Sequence, residues 1–302
     1  MTGQLIKLAI AFLALAWIYL LLIKPKKAKK VFEIPFGYYA HRGLHDMSIG
    51  IPENSMAAFK RAMERNFGIE LDVRFTKDRQ VVVFHDDNLK RLCGVDKRVE
   101  DLMLSELKEY KILDTEERIP LLSEVLKLVD GRVPMLIELK ADNVPATKPL
   151  CEQVAKVTDG YHGPYVVQSF NPLAVRWFAK NRKQIPRGIL SGNIISQRVI
   201  YGFVKSFFAT HLLTNFFIKP NFVSYEWQYS SKLSFTICRK VFRGVCACWT
   251  IKDEETLEQL KRANRCSIFI FEGFIPDSRD AHFYGSDFEK IGESRLMKEY
   301  KN

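Results

Sequence analysis

No C-x-x-C pair occurs anywhere in the 302 residues, and the six cysteines (Cys93, Cys151, Cys238, Cys246, Cys248, Cys266) lie scattered, several of them within apolar runs. A Cys-based zinc site needs two close pairs, so structural zinc of that kind is excluded. Cys246-Ala247-Cys248 is the one tight pair; on a strand both sulfurs point to one side, with no second pair to complete a site. A chain of this size does not need a disulfide framework, and free, mostly buried thiols fit a reducing compartment. Nucleic-acid motifs of defined spacing are also lacking, so the formal charge of +11 points to phosphate or an anionic membrane rather than to nucleic acid. Five of those charges are Lys24, Lys26, Lys27, Lys29 and Lys30, leaving +6 on the rest. A small-residue cleavage site is missing as well: the apolar residues 8–23 run directly into Lys24-Pro25-Lys26-Lys27, where a secretory signal would show one.

Sixteen apolar residues without interruption span ~24 Å as a helix, and Leu5, Ile6 and a snorkelling Lys7 extend this to ~28 Å, close to the ~30 Å hydrocarbon core. The reading is a single transmembrane anchor. Lys7 and the α-amino group lie on one side of it and five lysines on the other. The more positive flank stays inside, so the remainder of the chain is expected in the cytoplasm, with the lysine run able to rest on anionic headgroups. The expected partition is residues 1–30 as anchor and polybasic flank, and residues 31–302 as one domain, long enough for a single core.

Beyond the anchor, chemistry-bearing residues fall at the ends of strand-like runs: Ala40-His41-Arg42-Gly43, Glu70-Leu71-Asp72, His85-Asp86 and Glu138-Leu139-Lys140. Glu70 and Asp72 are two apart, so on a strand they face the same way and form a chelating pair; Glu138 and Lys140 share a face by the same rule. Two same-face acids repel unless a cation compensates, which favours a metal over a salt-bridged pair. Two imidazoles can act as general base and general acid, and three hard oxygen donors can hold Ca²⁺ or Mg²⁺ against a phosphate. A metal-assisted phosphodiesterase follows. His45, His162 and His211 are read as structural or loop residues, and Glu53-Asn54 as the start of a helix, with Asn54 or Glu53 facing the substrate as the lesser reading.

Strand candidates at residues 37–40, 69–75, 81–84, 134–139, 165–170, 188–191, 222–226, 245–249 and 267–271 alternate with helix candidates at 54–66, 104–110, 123–129, 149–157, 172–181, 197–214, 232–242 and 254–263. Such alternation predicts a parallel α/β fold. The linker 76–80 is too short for a crossover helix, so a tight turn or irregular excursion is expected there. Nine strand candidates exceed the eight places of a barrel by one, so in a barrel one of them is either not a strand or lies outside it, and periodicity alone does not distinguish a closed barrel from an open sheet.

The set His41-Arg42-Gly43, Pro52-Glu53-Asn54-Ser55 with Ala58-Phe59, Glu70-Leu71-Asp72-Val73, Thr76-Lys77-Asp78, Val83-Phe84-His85-Asp86, Leu89 with Arg91, and Ile137-Glu138-Leu139-Lys140 resembles the glycerophosphodiester phosphodiesterase family. The likeness is densest over residues 39–140 and continues through Val167-Gln168-Ser169-Phe170 and Cys248-Trp249-Thr250. It implies a TIM (β/α)8 barrel with the site at the carboxyl ends of the strands. It also implies His41 and His85 as the acid/base pair, Glu70, Asp72 and Glu138 as ligands of Ca²⁺ or Mg²⁺, and Arg42 and Lys140 as phosphate holders. Trp249, at a strand's carboxyl end, is a candidate wall of the site. The implied reaction splits glycerophosphodiesters into glycerol 3-phosphate and an alcohol. The chain departs from the family at its close, where Cys266-Ser267-Ile268-Phe269-Ile270-Phe271-Glu272-Gly273-Phe274-Ile275-Pro276 replaces a Gly-Val-Asp-Gly-Ile-type strand and Thr-Asp-x-Pro, and in the aromatic residues 192–219; both bear on substrate choice. A phospholipase C-like enzyme or a lysophospholipase D acting on lysophospholipid at the bilayer is the second reading, because Glu-x-Asp followed by His also resembles phosphatidylinositol-specific phospholipase C. A non-catalytic membrane scaffold is the third, and the complete His, Glu, Asp, His, Glu set stands against it.

Overall fold

Eight of the nine strands run parallel and close on themselves. The computed structural model describes residues 2–27, 34–142, 144–194 and 202–277. Around the barrel stand β1 (Gly37–Ala40), β2 (Gly68–Phe75), β4 (Met135–Leu139), β5 (Tyr165–Ser169), β6 (Arg187–Ser191), β7 (Phe222–Glu226), β8 (Val245–Ile251) and β9 (Ile268–Phe271). β1 pairs with both β9 and β2, which closes the ring. The surplus strand is β3 (Val81–Val83), which forms an antiparallel hairpin with the end of β2. Its linker folds as a tight turn: Thr76 N–H donates to Gln80 O at 3.0 Å, and Arg79 takes the left-handed conformation with φ of 60°.

The strands are apolar on both faces, as parallel strands covered by helices require. Tyr39, Leu136, Val166, Phe222, Ala247 and Ile270 fill the barrel interior, while Ile69, Leu71, Ile137, Val167, Val223 and Cys246 pack outward against helices. Gly68, Glu70 and Asp72 therefore alternate into the interior. The covering helices start where the sequence supplies caps: Ser55 accepts from Ala58 N–H ahead of α2 (Met56–Glu64), Asn171 from Leu173 ahead of α7 (Pro172–Asn181), and Asp253 from Thr256 ahead of α11 (Glu254–Arg262). α5 (Leu122–Val129), α6 (Val144–Thr158), α8 (Phe203–Thr210), α9 (Asn215–Ile218) and α10 (Leu233–Lys240) complete the coat. Of the candidate helix 197–214, residues 197–201 lie outside the described ones, 203–210 form α8, and 211–214 are turn, with α9 beginning beyond it at Asn215. Residues 84–121, with the short α3 (Lys90–Cys93) and α4 (Leu104–Leu107), bury their own cluster of Phe84, Leu89, Leu92, Val99 and Leu107 against Val82. All six cysteines are free, and five are buried.

The amino-terminal apolar helix α1 (Thr2–Ile23) is present, and it is long and apolar enough to cross a membrane by length and composition. Its last turns are part of the barrel's coat. Ile23 is fully buried, and its carbonyl accepts from Asn215 Nδ2 at 2.8 Å; Lys26 N–H donates to Pro220 O at 2.8 Å.

Interior packing is tight at Gly188, where an added Cβ would fall inside the envelope of the Phe222 ring. Gly188→Ala is therefore expected to destabilise the fold by about 1–3 kcal/mol. Gly160→Ala, with nothing within 4 Å of the new methyl, should leave stability nearly unchanged. Paired thermal or urea unfolding measurements check the difference.

Candidate active site

Parallel register, more than sequence proximity, assembles the site. Asp72 on β2 lies directly beside Glu138 on β4, and Glu138 beside Gln168 on β5, all near the strands' carboxyl ends. Glu70, Asp72 and Glu138 are buried, and one oxygen of each lies within 4.8 Å of the others. At that separation two ionised carboxylates repel by roughly 3–4 kcal/mol at an effective dielectric of ~20. The titration reflects this conflict: burial and the charge of Asp72 push Glu70 up to about 8, and burial raises Glu138. Asp72 is held low, because Lys140, His85 and Arg42 outweigh the cost of its burial.

The two cations expected to hold phosphate are at the site and are engaged with its acids. Lys140 Nζ lies 2.6 Å from Glu138 Oε1 and 3.0 Å from Asp72 Oδ1. Arg42 follows His41 in a left-handed turn with φ of 56°, which aims its N–H at Glu70 Oε2 (3.0 Å) and its guanidinium at Glu53 (2.7 Å). Gly43 continues that turn at φ of 79°, and a Cβ there would meet Ala58 at 2.9 Å.

Each of the two histidines has a carboxylate on Nδ1. His41, one residue past β1, pairs with Glu272, one residue past β9, because Ala40 and Phe271 are register partners. His85 Nδ1 lies 2.6 Å from Asp86 Oδ1. Burial lowers His41, but the bond to Glu272 and the charge of Glu70 more than reverse it, so its pKa is raised. Burial dominates at His85, whose pKa is lowered despite the charge of Asp72. The hydrogen bond from His41 draws Glu272 down to about 2. Alternating charges tie the two halves together: Arg91 bonds Asp86 at 2.6 Å and Glu53 at 2.7 Å, and Glu53 in turn holds Arg42. Burial opposes ionisation of Asp86, but the bonds from Arg91 and His85 lower it to about 2.

A family model for the glycerophosphoryl diester phosphodiesterase family matches residues 41–278. The Bacillus subtilis protein YhdW is 30% identical over 234 residues, covering 74% of this chain and 88% of its own length. This chain belongs to the glycerophosphoryl diester phosphodiesterase family. Human lysophospholipase D GDPD1 is 36% identical over 132 residues, which cover 39% of this chain and 41% of that protein. The structure of an Oleispira antarctica phosphodiesterase in complex with its product sn-glycerol-3-phosphate shares the fold, with a TM-score of 0.64 at 21% identity over 81% of this chain and 96% of that one.

Within this family member, every residue singled out from sequence as a candidate lies at the carboxyl mouth. Trp249, near the end of β8, packs edge-on to Phe170 with centroids 5.6 Å apart and forms part of the interior wall. His162 is exposed, and His211 caps α8 and lies against the Phe207 ring with centroids 4.5 Å apart. His45 differs from an ordinary loop residue: it is half-buried near Glu272 and Glu53, burial lowers its pKa, and its Nε2 has no hydrogen-bond partner. Glu272 was not among the sequence candidates, although it sits in the segment that departs from the family pattern. Asn54 reaches Asp72 Oδ2 at 2.9 Å from a left-handed backbone and braces the cluster. A divalent cation fits this donor set: three buried carboxylates converge, and two of them are raised for want of positive charge.

Glu272 holds His41 from the side opposite the cluster. Glu272→Ala should lower kcat by ~10–100-fold, as loss of an orienting carboxylate does. Steady-state kinetics against Lys252→Ala, which removes only the 3.2 Å partner of Glu272 on a largely exposed side chain, check the assignment; the latter should change kcat little.

Proposed function

We propose that this phosphodiesterase hydrolyses glycerophosphodiesters to glycerol 3-phosphate and an alcohol, with His41 and His85 exchanging the protons. The observation that carries the reading is the pair of imidazoles, each tied at Nδ1 by a carboxylate and each electrostatically coupled to the buried acid cluster. With Nδ1 occupied, Nε2 is the atom left for proton transfer on both rings. One Nε2 accepts the proton of the attacking hydroxyl, and the other donates to the leaving alkoxide; where water attacks directly this yields glycerol 3-phosphate, and where the glycerol 2-hydroxyl attacks, water then opens the cyclic phosphate with the two roles exchanged. Glu272 and Asp86 keep the rings oriented and stabilise the imidazolium as it forms. Glu70, Asp72 and Glu138 would hold Ca²⁺ or Mg²⁺, which supplies Lewis-acid charge against the phosphate. Lys140 and Arg42, now shared among Asp72, Glu138 and Glu53, then offer N–H donors to the equatorial phosphate oxygens. Trp249 and Phe170 bound the space beside them.

We also infer that α1 anchors the chain in a membrane with the barrel on the cytoplasmic side. The lysine asymmetry supports this orientation; Lys29 and Lys30 lie outside the described residues. The division into an anchor within residues 1–30 and a barrel within 31–302 belongs to the same reading, with the last turn of α1 serving both. Lysophospholipid as substrate is the second reading, favoured by α1 and by the likeness to a lysophospholipase D.

His41→Ala and His85→Ala should each lower kcat by ~10² or more. Chelator should abolish turnover, with recovery on adding Ca²⁺ or Mg²⁺, and Glu70→Ala or Asp72→Ala should stay inactive with either ion. Undiminished turnover in chelator removes the metal from the reading. Release of glycerol 3-phosphate from glycerophosphocholine supports the first substrate, and release of lysophosphatidic acid from lysophosphatidylcholine the second.

A further inference from the structure

Helix α8 (Phe203–Thr210) is inside out. Its buried residues are Ser206 and Thr210, both fully covered, while Phe203, Val204, Phe207 and Phe208 are 60%, 67%, 39% and 41% exposed. A surface helix of a water-soluble protein has the opposite pattern. Phe203 and Phe207, one turn apart, stack with centroids 6.3 Å apart and form an apolar ridge. The helix is fixed at the carboxyl rim of the barrel: Ser191 Oγ, at the end of β6, donates to Ala209 O at 2.8 Å, and Tyr225 OH, near the end of β7, donates to Thr210 O at 2.7 Å. Leu233, 66% exposed, opens α10 just beyond the end of β7.

The apolar helix α1 runs toward that rim. At its foot Lys26 N–H bonds Pro220 O, and Asn221 Nδ2 bonds Lys26 O at 3.3 Å, just ahead of β7. Higher up, Ile23 meets Asn215 and Cys238, and Tyr19 lies against Ser234, level with the carboxyl end of β7. So α1 descends antiparallel to β7, and residues 2–18 project past the rim that carries the active site. Within them Leu5, Leu8, Phe12, Leu15 and Trp17 are each more than 60% exposed. A rim seated in the membrane interface, on the side toward which α1 projects, buries the exposed α8 ridge.

We infer that the carboxyl face of the barrel rests on the lipid bilayer, with Phe203, Val204, Phe207, Phe208 and Leu233 in the interface and the active-site mouth opening onto the headgroup layer. This rests on α1 being a membrane anchor. The barrel axis then lies within roughly the strand tilt of ~36° of the membrane normal. Lys24 and Lys26 stand at the far, amino-terminal end of the strands, so they act as a topological signal rather than as headgroup contacts. A glycerophosphodiester that carries an acyl chain reaches the mouth without leaving the bilayer.

The test uses the full chain in phosphatidylcholine–phosphatidylglycerol vesicles with a nitroxide at Phe207→Cys, Leu233→Cys or Gln184→Cys, in a Cys93→Ser background. Gln184 is exposed in the turn ahead of β6, at the opposite end of the barrel. Nitroxides at 207 and 233 are expected to collide several-fold more with membrane-soluble oxygen than with an aqueous nickel chelate, relative to the one at 184. Chain retained after an alkaline carbonate wash, with 207 and 233 as open to nickel as 184, overturns the orientation and leaves the anchor standing. Release by carbonate overturns the anchor and the orientation together. Should Phe207→Cys fold poorly, Leu233→Cys reports on the same face independently.

Discussion

Three carboxylates buried within reach of one another, Glu70, Asp72 and Glu138, are the constraint around which the rest of the molecule is arranged. Ionised alone in the interior they would repel strongly, so the fold surrounds them with positive charge from different elements: Lys140 just past β4, Arg42 from the turn after β1, and the imidazole of His41, whose pKa is raised. The remaining mismatch, seen in the raised pKa of Glu70 and Glu138, is the electrostatic character of a cation site. Asn54 and Glu53, which read as the start of a helix, serve this cluster, one bracing Asp72 and the other holding Arg42.

Closure of the barrel matters as much as the charges. β1 and β9 are distant in sequence and become neighbours only because the ring is complete, and their register places His41 against Glu272. The second histidine needs no closure, since Asp86 follows it directly and the packed 84–121 segment supplies Arg91 to hold that carboxylate. One imidazole is thus oriented by topology and the other by local sequence. The closing segment provides Glu272, whose carboxylate pairs with the His41 ring, while the three-acid cluster draws on β2 and β4.

The apolar helix and the barrel share a boundary rather than a linker. Ile23 and Pro25 are buried at the foot of the coat, and Asn215 spends its side-chain amide on the carbonyl of Ile23. That rigid junction sets the direction in which residues 2–18 leave the barrel, and the outward-facing phenylalanines of α8 lie on the same side.

Most of the strands were legible because apolar runs ended by charged residues stand out against Gly, Pro and Asn punctuation, and eight of the nine strand candidates agree with the observed strands to within one residue at each end, the exception being 245–249, which continues to Ile251. The acid pair Glu70 and Asp72, the pair Glu138 and Lys140, and both histidines were legible for the same reason: strand alternation is a local rule, and it fixes which side chains share a face. Which strand stood outside the barrel was not, since apolar period alone does not distinguish β3, a hairpin on β2, from a barrel strand. Nor were the partners legible. That Asp72 lies beside Glu138, that Glu272 meets His41, and that Arg91 links Asp86 to Glu53 depend on register and closure, which bring together residues tens to hundreds apart. By itself the sequence determined the inventory, the faces and the apolar segment; the tertiary structure decided which charges meet, because an ion pair depends on distance in space and that distance is set only when the last strand closes on the first.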